Sequence, residues 1–229
     1  AVENYQGAIR RREEPRVNTL VHYGAEVLGD TIASNNLGEH RRARGAAYAA
    51  LDVRALRRFS LSLAAREEIH GALRSQLSPT AAGGAWLSQR VKLRASASRA
   101  FRLPSYTDLY YHDPANLGSP DLRPETAWSY DAGVDWNAED KLRGEVTLFH
   151  RRERDGIDYV RRTPADLWRA TNIQRLSFTG VEAAVNTGFR RSHRVDFRYT
   201  GLRGVQEALA GVESRYVFQY PVHAGEALV

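Results

Sequence analysis

Apolar and polar residues alternate with period two along most of this chain. Val17, Thr19, Val21, Tyr23, Ala25 and Val27 share one face of a strand over residues 17–27, and Asn18, His22, Gly24 and Glu26 the other. An Ala-rich strand follows at 43–53 around Tyr48. Phe59, Leu61, Leu63 and Ala65 then alternate with Ser60, Ser62, Ala64 and Arg66, and a Gly/Ala strand at 80–88 ends at Trp86-Leu87. The clearest strand is 91–101, where Val91, Leu93, Ala95 and Ala97 oppose Lys92, Arg94, Ser96 and Ser98. Trp128, Tyr130, Ala132, Val134 and Trp136 alternate with Ser129, Asp131, Gly133 and Asp135. Further strands are predicted at 145–151, 176–186, 195–200 and 215–220, with a short β-like piece at 157–160 inside a connection spanning 155–175. The total is about ten or eleven strands of roughly ten residues each, an all-β antiparallel pattern.

The connections carry a second signal. Short turns are predicted near 14, 56, 89, 139, 190 and 223, and longer loops near 35 (31–38), 75 (71–79), 112, 165 and 207. Short and long connections in alternation predict a membrane β-barrel, with turns at one rim and loops at the other. A soluble β-sandwich binding module would also supply many short strands, but gives no reason for the long connections to share a side. Trp128 and Trp136 lie on one face of one strand. At ~3.3 Å per residue and a tilt of about 40° they stand roughly 20 Å apart along the membrane normal, near the spacing of two aromatic girdles. Asp131 and Asp135 face the other way, which is costly in lipid and suits a wet lumen.

The longest non-periodic stretch runs from Ser98 to Glu125. Four aromatics between Phe101 and Tyr111 argue against disorder, and a loop of this length in an ordered domain is commonly functional. Tyr106, Tyr110, Tyr111, His112, Asp113 and Asn116 form the candidate ligand-contacting set, because aromatics with polar tips offer large contact area at low entropic cost. Pro120 and Pro124 fix φ where the loop re-enters the strand.

Composition narrows the classes. The 229 residues carry a formal net charge of +6, almost all from arginine, with Lys92 and Lys141 the sole lysines. The arginines are interspersed with acids, so no nucleic-acid partner is expected. The absence of cysteine excludes disulfides and thiolate chemistry. The seven histidines lack metal-ligand spacing, and no hydrolase, phosphate-loop or dinucleotide motif occurs, so neither catalysis, metal nor cofactor is expected. No apolar run approaches the ~20 residues of a membrane helix.

Particular residues then carry a family resemblance. Arg99, Phe101, Arg102 and Pro104, followed by Tyr106 to Tyr110, then Gly118, Pro120, Leu122, Pro124 and Glu125, then Tyr130 and Gly133, resemble the barrel signature of TonB-dependent outer-membrane receptors. Asn172 with Gly180 and Glu182 is similar to a second, shorter pattern of that family. Ser119 and Asp131 depart mildly, standing where the family has Asn and Glu. The resemblance implies that residues 1–229 are part of a transmembrane barrel of about 22 strands. It also implies a bacterial outer-membrane location with outer-membrane lipid around the wall, and import of a scarce, bulky small molecule such as an iron-siderophore or cobalamin. Energy would come from the TonB-ExbB-ExbD complex acting through a plug domain. No plug, TonB box or terminal aromatic is recognisable within the 229 residues, and the pattern starts and stops in mid-strand, so the chain is expected to be a fragment from the later part of the barrel. A passive porin-like barrel or a barrel enzyme is the alternative within the membrane class. The motif residues are assigned by the resemblance to architecture, which leaves the six loop residues for ligand contact.

Overall fold

In the computed structural model, residues 1–56, 58–71, 74–138, 142–189, 193–207, 211–216 and 220–228 are described. Nearly all of them belong to one antiparallel sheet. Its strands are β1 (Val2–Arg16), β2 (Thr19–Ser34), β3 (Gly38–Leu56), β4 (Phe59–His70), β5 (Arg74–Trp86) and β6 (Val91–Arg102), then, after a one-turn helix α1 (Tyr106–Tyr110) and a two-residue strand β7 (Asn116–Leu117), β8 (Glu125–Ala138), β9 (Leu142–Arg161), β10 (Trp168–Phe189) and β11 (His193–Gln206), followed by β12 (Glu213–Ser214) and β13 (His223–Leu228). Neighbours in sequence are neighbours in space along the path β1-β2-β3-β4-β5-β6-β8-β9-β10-β11-β13. The short strands lie off it, β7 parallel to β10 and β12 antiparallel to β9. This is an unclosed up-and-down sheet, the expected wall of a barrel.

The two faces differ as the alternation requires. Leu61, Leu63, Leu93, Trp128, Val134, Trp136, Val146 and Leu148 are all exposed on one face. An apolar surface of that extent is incompatible with water on both sides and reads as the lipid-facing side. Trp136 pairs with Val91 at the short-turn end and Trp128 with Arg99 at the other, so the tryptophans bracket the apolar band. The opposite face is polar and internally paired. Glu26, Arg66, Glu68, Arg44 and Asp30 form a chain of ion pairs across β2, β3 and β4, at 3.0, 3.3, 3.4 and 3.7 Å in that order. On β6, β8 and β9 the Arg94 guanidinium bonds Asp135 at 2.8 Å and Thr147 at 2.5 Å. These groups are aligned by register, since Glu68 stands opposite Ala46, and Arg94 opposite Gly133, which has no side chain to obstruct it.

Several boundaries differ from the sequence pattern. Residues 1–16, given no element above, form β1, and the turn near 14 lies at 17–18, with Asn18 at φ 61°. The loop at 31–38 shrinks to a tight connection at 35–37, and the loop at 71–79 gives way to β5 from Arg74, where Pro79 pairs with Ala65. The connection at 155–175 is mostly the far ends of β9 and β10. Asp155 at φ 56° and register shifts between Asn172 and Leu176 interrupt the alternation there and conceal the strands. At 215–220, Tyr216 and Tyr220 stand outside any strand; β11 pairs instead with β13, where a turn near 223 was expected. β10 also runs through 187–189, predicted as turn. Val217, Phe218 and Gln219, and the centres of the predicted turns near 139 and 190, lie outside the described residues. Where strands run longer than predicted, the cause is that they continue past the apolar band into water, where polar residues cost nothing and cease to mark a strand's end. Strict alternation of short and long connections therefore fails near 35 and 75, although every long connection remains on one rim.

Each end of the sheet, β1 and β13, presents an unpaired strand edge along its length. Lipid does not tolerate such an edge, and in water it invites association. Residues 1–229 expressed alone are therefore expected to aggregate. Heat-modifiable gel migration after refolding in detergent would contradict this.

Candidate functional site

The segment from Leu103 to Pro124 is built rather than floppy. Ser105 caps α1: its hydroxyl accepts from the Asp108 N–H at 3.1 Å, while the Asp108 carboxylate accepts from the Ser105 N–H at 2.9 Å. Arg102 holds this cap from below, with an ion pair to Asp108 at 3.3 Å and a second to Glu125. The other oxygen of Glu125 accepts from the Ile157 N–H at 2.7 Å. Asn172 closes the far end. Its side-chain oxygen accepts from the Arg123 N–H at 2.7 Å, and its amide donates to the carbonyls of Arg123 at 2.9 Å and Asp155 at 2.7 Å. Leu122 is buried with Ile157, Tyr159 and Ala170, and Leu109 and Trp168 pack on that cluster. Gly118 passes so close to α1 that a Cβ would lie 2.7 Å from the backbone of Leu109 and Tyr110.

The loop then reaches back across the sheet. Tyr106 donates to the Asp30 carbonyl on β2 at 3.0 Å, and the Arg42 guanidinium sits 4.7 Å above its ring. Burial, then the bond to Asp30, pushes the Tyr106 phenol upward. Tyr110 stacks on His40 with ring centres 3.5 Å apart and planes within 7°. The His112 N–H donates to the Asn36 carbonyl in the β2–β3 turn at 3.3 Å. β4 and β5 separate these partners from β6, so the loop bridges part of the polar face. On its other side Asn116 accepts from Arg215 at 2.6 Å, just past β12.

The six candidate residues are thus brought to one rim, but in different roles. Tyr106 and Tyr110 dock the loop onto β2 and β3. Asp113 and Asn116 shape the tip: the Asp113 carboxylate accepts from the Ala115 N–H at 2.7 Å and the Asn116 N–H at 2.6 Å. Tyr111 adds its phenol to that carboxylate and is pushed up by it. His112 has an exposed side chain. Sequence reasoning missed Asp30, His40 and Arg42, in the unassigned stretches flanking the predicted 31–38 loop, and Arg215, at the start of a predicted strand. It also missed Asp158, fully buried and accepting from Gln174 at 2.5 Å and from Ser214.

The tip has a pH dependence. The Ala115 N–H, followed by the Asn116 amide, holds Asp113 down at about 2, against roughly 3.9 when unfolded. A depressed carboxylate stabilises the fold above its unfolded value and loses that contribution as pH falls through the folded one. Pepsin cleavage within 106–117 is therefore expected to accelerate between about pH 4 and pH 2. Asp113→Ala should be cleaved faster than the parent at about pH 4 and converge with it toward about pH 2. An unchanged parent profile would refute the assignment.

Among the described residues no cluster of three or more His, Asp or Glu is placed to hold a metal ion. The arrangement is that of a braced aromatic loop at the rim of a polar wall.

Comparison with known proteins agrees with this architecture. The family described as TonB dependent receptor-like, beta-barrel matches residues 5–222. The vitamin B12 transporter BtuB of Vibrio vulnificus is 30% identical over 110 residues, which is 47% of this chain and 17% of the transporter. Among solved structures, the siderophore receptor PirA of Pseudomonas aeruginosa superposes with a TM-score of 0.80 at 16% identity, covering 89% of this chain and 40% of the receptor. The hemophore receptor HasR of Serratia marcescens, solved with its hemophore HasA and heme, gives 0.73 at 16% identity, covering 88% and 41%. The chain thus spans less than half the length of each.

Proposed function

Because the chain belongs to the TonB-dependent receptor-like β-barrel family, we propose that it supplies part of the wall and outer rim of an outer-membrane transporter for a bulky small molecule of the siderophore, cobalamin or heme class. The observation that carries this reading is the Leu103–Pro124 loop. It leaves the wall between β6 and β8, is clamped at both ends, and docks on β2 and β3 across the polar face. A receptor needs a preformed surface at its mouth, and a braced aromatic bridge supplies one without the entropic cost of ordering a loop on binding. In this reading Tyr111, His112 and the neighbouring Arg215 meet ligand, Tyr106 and Tyr110 hold them in place, and the charged wall of Arg44, Glu68, Arg94 and Asp131 lines the path. The protein acts as a transporter and receptor rather than an enzyme. Energy reaches it from the TonB-ExbB-ExbD complex through a plug, and the apolar face with Trp128 and Trp136 meets outer-membrane lipid.

The test uses the full-length coding sequence that contains this chain, expressed in an outer-membrane host lacking its own receptors. Uptake of labelled cobalamin, a ferric siderophore and heme is measured with and without TonB. Saturable, TonB-dependent uptake of one of them is expected. Non-saturable flux of small solutes, indifferent to TonB, would replace this reading with the passive porin.

A further inference from the structure

A buried acid stands where the short strand β12 lies against the wall. Asp158 on β9 is fully buried, yet no cation pairs with it among the described residues. The guanidiniums of the same two segments are engaged elsewhere, Arg161 by Glu213 at 2.7 Å and Arg215 by the Asn116 side chain at 2.6 Å. One carboxylate oxygen is used. Asp158 Oδ2 accepts from the Gln174 amide on β10 at 2.5 Å and from the Ser214 hydroxyl on β12. Oδ1 is buried and meets no donor among the described residues. Gln174, itself buried, is steadied in turn by the Gln206 amide of β11, which donates to its oxygen at 2.8 Å. The network ties three strands of the wall to β12.

A buried carboxylate without a countercharge is costly. Where such an acid serves packing alone, an apolar group of its size commonly does as well or better. What Asp158 supplies beyond packing is a hold on β12. That strand pairs only Glu213 with Arg161 and Ser214 with Val160, and the Arg215 N–H donates to the Tyr159 carbonyl at 3.0 Å. A pairing this short is marginal in water, and the half-exposed ion pair between Glu213 and Arg161 adds little. Directly after Ser214, Arg215 reaches the tip of the Leu103–Pro124 loop. There Asn116 accepts from it and donates to the Asp113 carboxylate at 3.0 Å. A connected path therefore runs from Asp158 through Ser214 and Arg215 to Asn116 and Asp113. We propose that Asp158 is a positioning residue. It anchors β12 and, through Arg215, fixes the tip of the rim loop, so that the two segments form one clamp. Being fully buried, it touches no ligand. Its effect on uptake rests on the receptor reading, whereas the anchoring does not.

The experiment uses the full-length protein in detergent micelles and follows hydrogen exchange of peptides spanning 211–216 and 113–117 by mass spectrometry. In Asp158→Leu both peptides should exchange roughly tenfold faster or more, because bonds to a charged acceptor are lost. Peptides of β6 and heat-modifiable migration should not change. Ser214→Ala leaves the bond between Gln174 and Asp158 in place and should loosen the same two peptides. Arg215→Ala should loosen 113–117 more than 211–216. A disulfide then replaces the anchor. Ser214 and Val160 form the non-hydrogen-bonded pair beside Arg215 and Tyr159, with Cα atoms ~4.5 Å apart, within disulfide reach. Val160→Cys with Ser214→Cys in the Asp158→Leu background should restore slow exchange in both peptides when oxidised and lose it on reduction. Uptake of labelled cobalamin, a ferric siderophore and heme is measured alongside. For whichever probe the parent imports, Asp158→Leu should raise the half-saturation concentration about tenfold at unchanged maximal rate, following the roughly tenfold looser clamp, and the oxidised disulfide should reverse this. Parent-like exchange at 113–117 in a correctly migrating Asp158→Leu would overturn the proposal. So would a disulfide that slows exchange without restoring uptake. If Asp158→Leu does not assemble, Ser214→Ala decides the anchor by the same exchange. If the parent imports none of the probes, the receptor reading falls while exchange still decides the anchor.

Discussion

Replacing Asn172 by Leu in the full-length protein is expected to release the rim loop while leaving the wall intact. Asn172 makes three hydrogen bonds, and all three join segments distant in sequence: two to the backbone of Arg123 and one to that of Asp155. Each is worth about 0.5–1.5 kcal/mol net, so the local loss is about 2–4 kcal/mol. It falls where the loop re-enters β8, next to the buried Leu122 cluster and the Glu125–Ile157 contact. Freed there, the loop keeps its docking on β2 and β3 and its Asn116 contacts with Arg215 and β10, and opening at the Arg123 end becomes a local event. The expected result is new protease cleavage within 103–124, uptake reduced tenfold or more at low ligand concentration, and unchanged heat-modifiable migration. Asn172→Asp keeps the acceptor for the Arg123 N–H and loses both donors, so it should fall between parent and Leu. A Leu variant with the parent's cleavage pattern and uptake would show that the clamp is dispensable.

Gly180→Val is expected to have the opposite signature, damaging assembly of the wall rather than the loop. Gly180 faces the polar side of β10, opposite Phe149 on β9 and Leu202 on β11. The Phe149 ring fills the space a side chain would take: a Cβ would sit 2.5 Å from its Cζ, and would also press on the Gly201 carbonyl. The ring can swing away; the carbonyl belongs to a paired strand and cannot. Overpacking of this kind costs about 1–3 kcal/mol, and a β-branched residue lies at the upper end. The heat-modifiable fraction in isolated membranes should fall severalfold. Adding Phe149→Ala should recover only part of the loss, since the backbone contact persists, and that shortfall measures the two contributions separately. Full recovery would assign the whole effect to the ring, and no initial loss would show that the strands adjust freely.

These two sites show how unevenly the sequence discloses its structure. Gly180, Asn172, Glu125 and Arg102 were visible as a pattern, and the structure gives each a specific contact. The pattern itself contained no statement of what Asn172 touches. The lipid-facing and polar faces were legible at 91–101 and 128–136, where alternation is unbroken. They were illegible at 155–175, because the left-handed Asp155 and the irregular register near Gln174 put adjacent residues out of phase. The aromatic alternation Tyr216, Phe218, Tyr220 misled for a related reason. Tyr220 serves tertiary packing, its ring edge-on to Phe178 and its hydroxyl taking the Gly204 N–H at 2.6 Å, so its spacing does not report a strand.

The sequence by itself determined the class: an all-β antiparallel wall with one apolar and one charged face, girdled by Trp128 and Trp136, with its long connections at one rim. That information is local, because residues two apart on a strand share a face whatever the rest of the chain does. Only the tertiary structure decided the use of the Leu103–Pro124 loop. It assigned Tyr106 and Tyr110 to docking and left Tyr111 and His112 at the rim. Those outcomes depend on partners 76 residues away for Tyr106 and 99 for Asn116. A contact of that separation leaves no periodicity in the chain, and exists only once the strands between have been laid side by side.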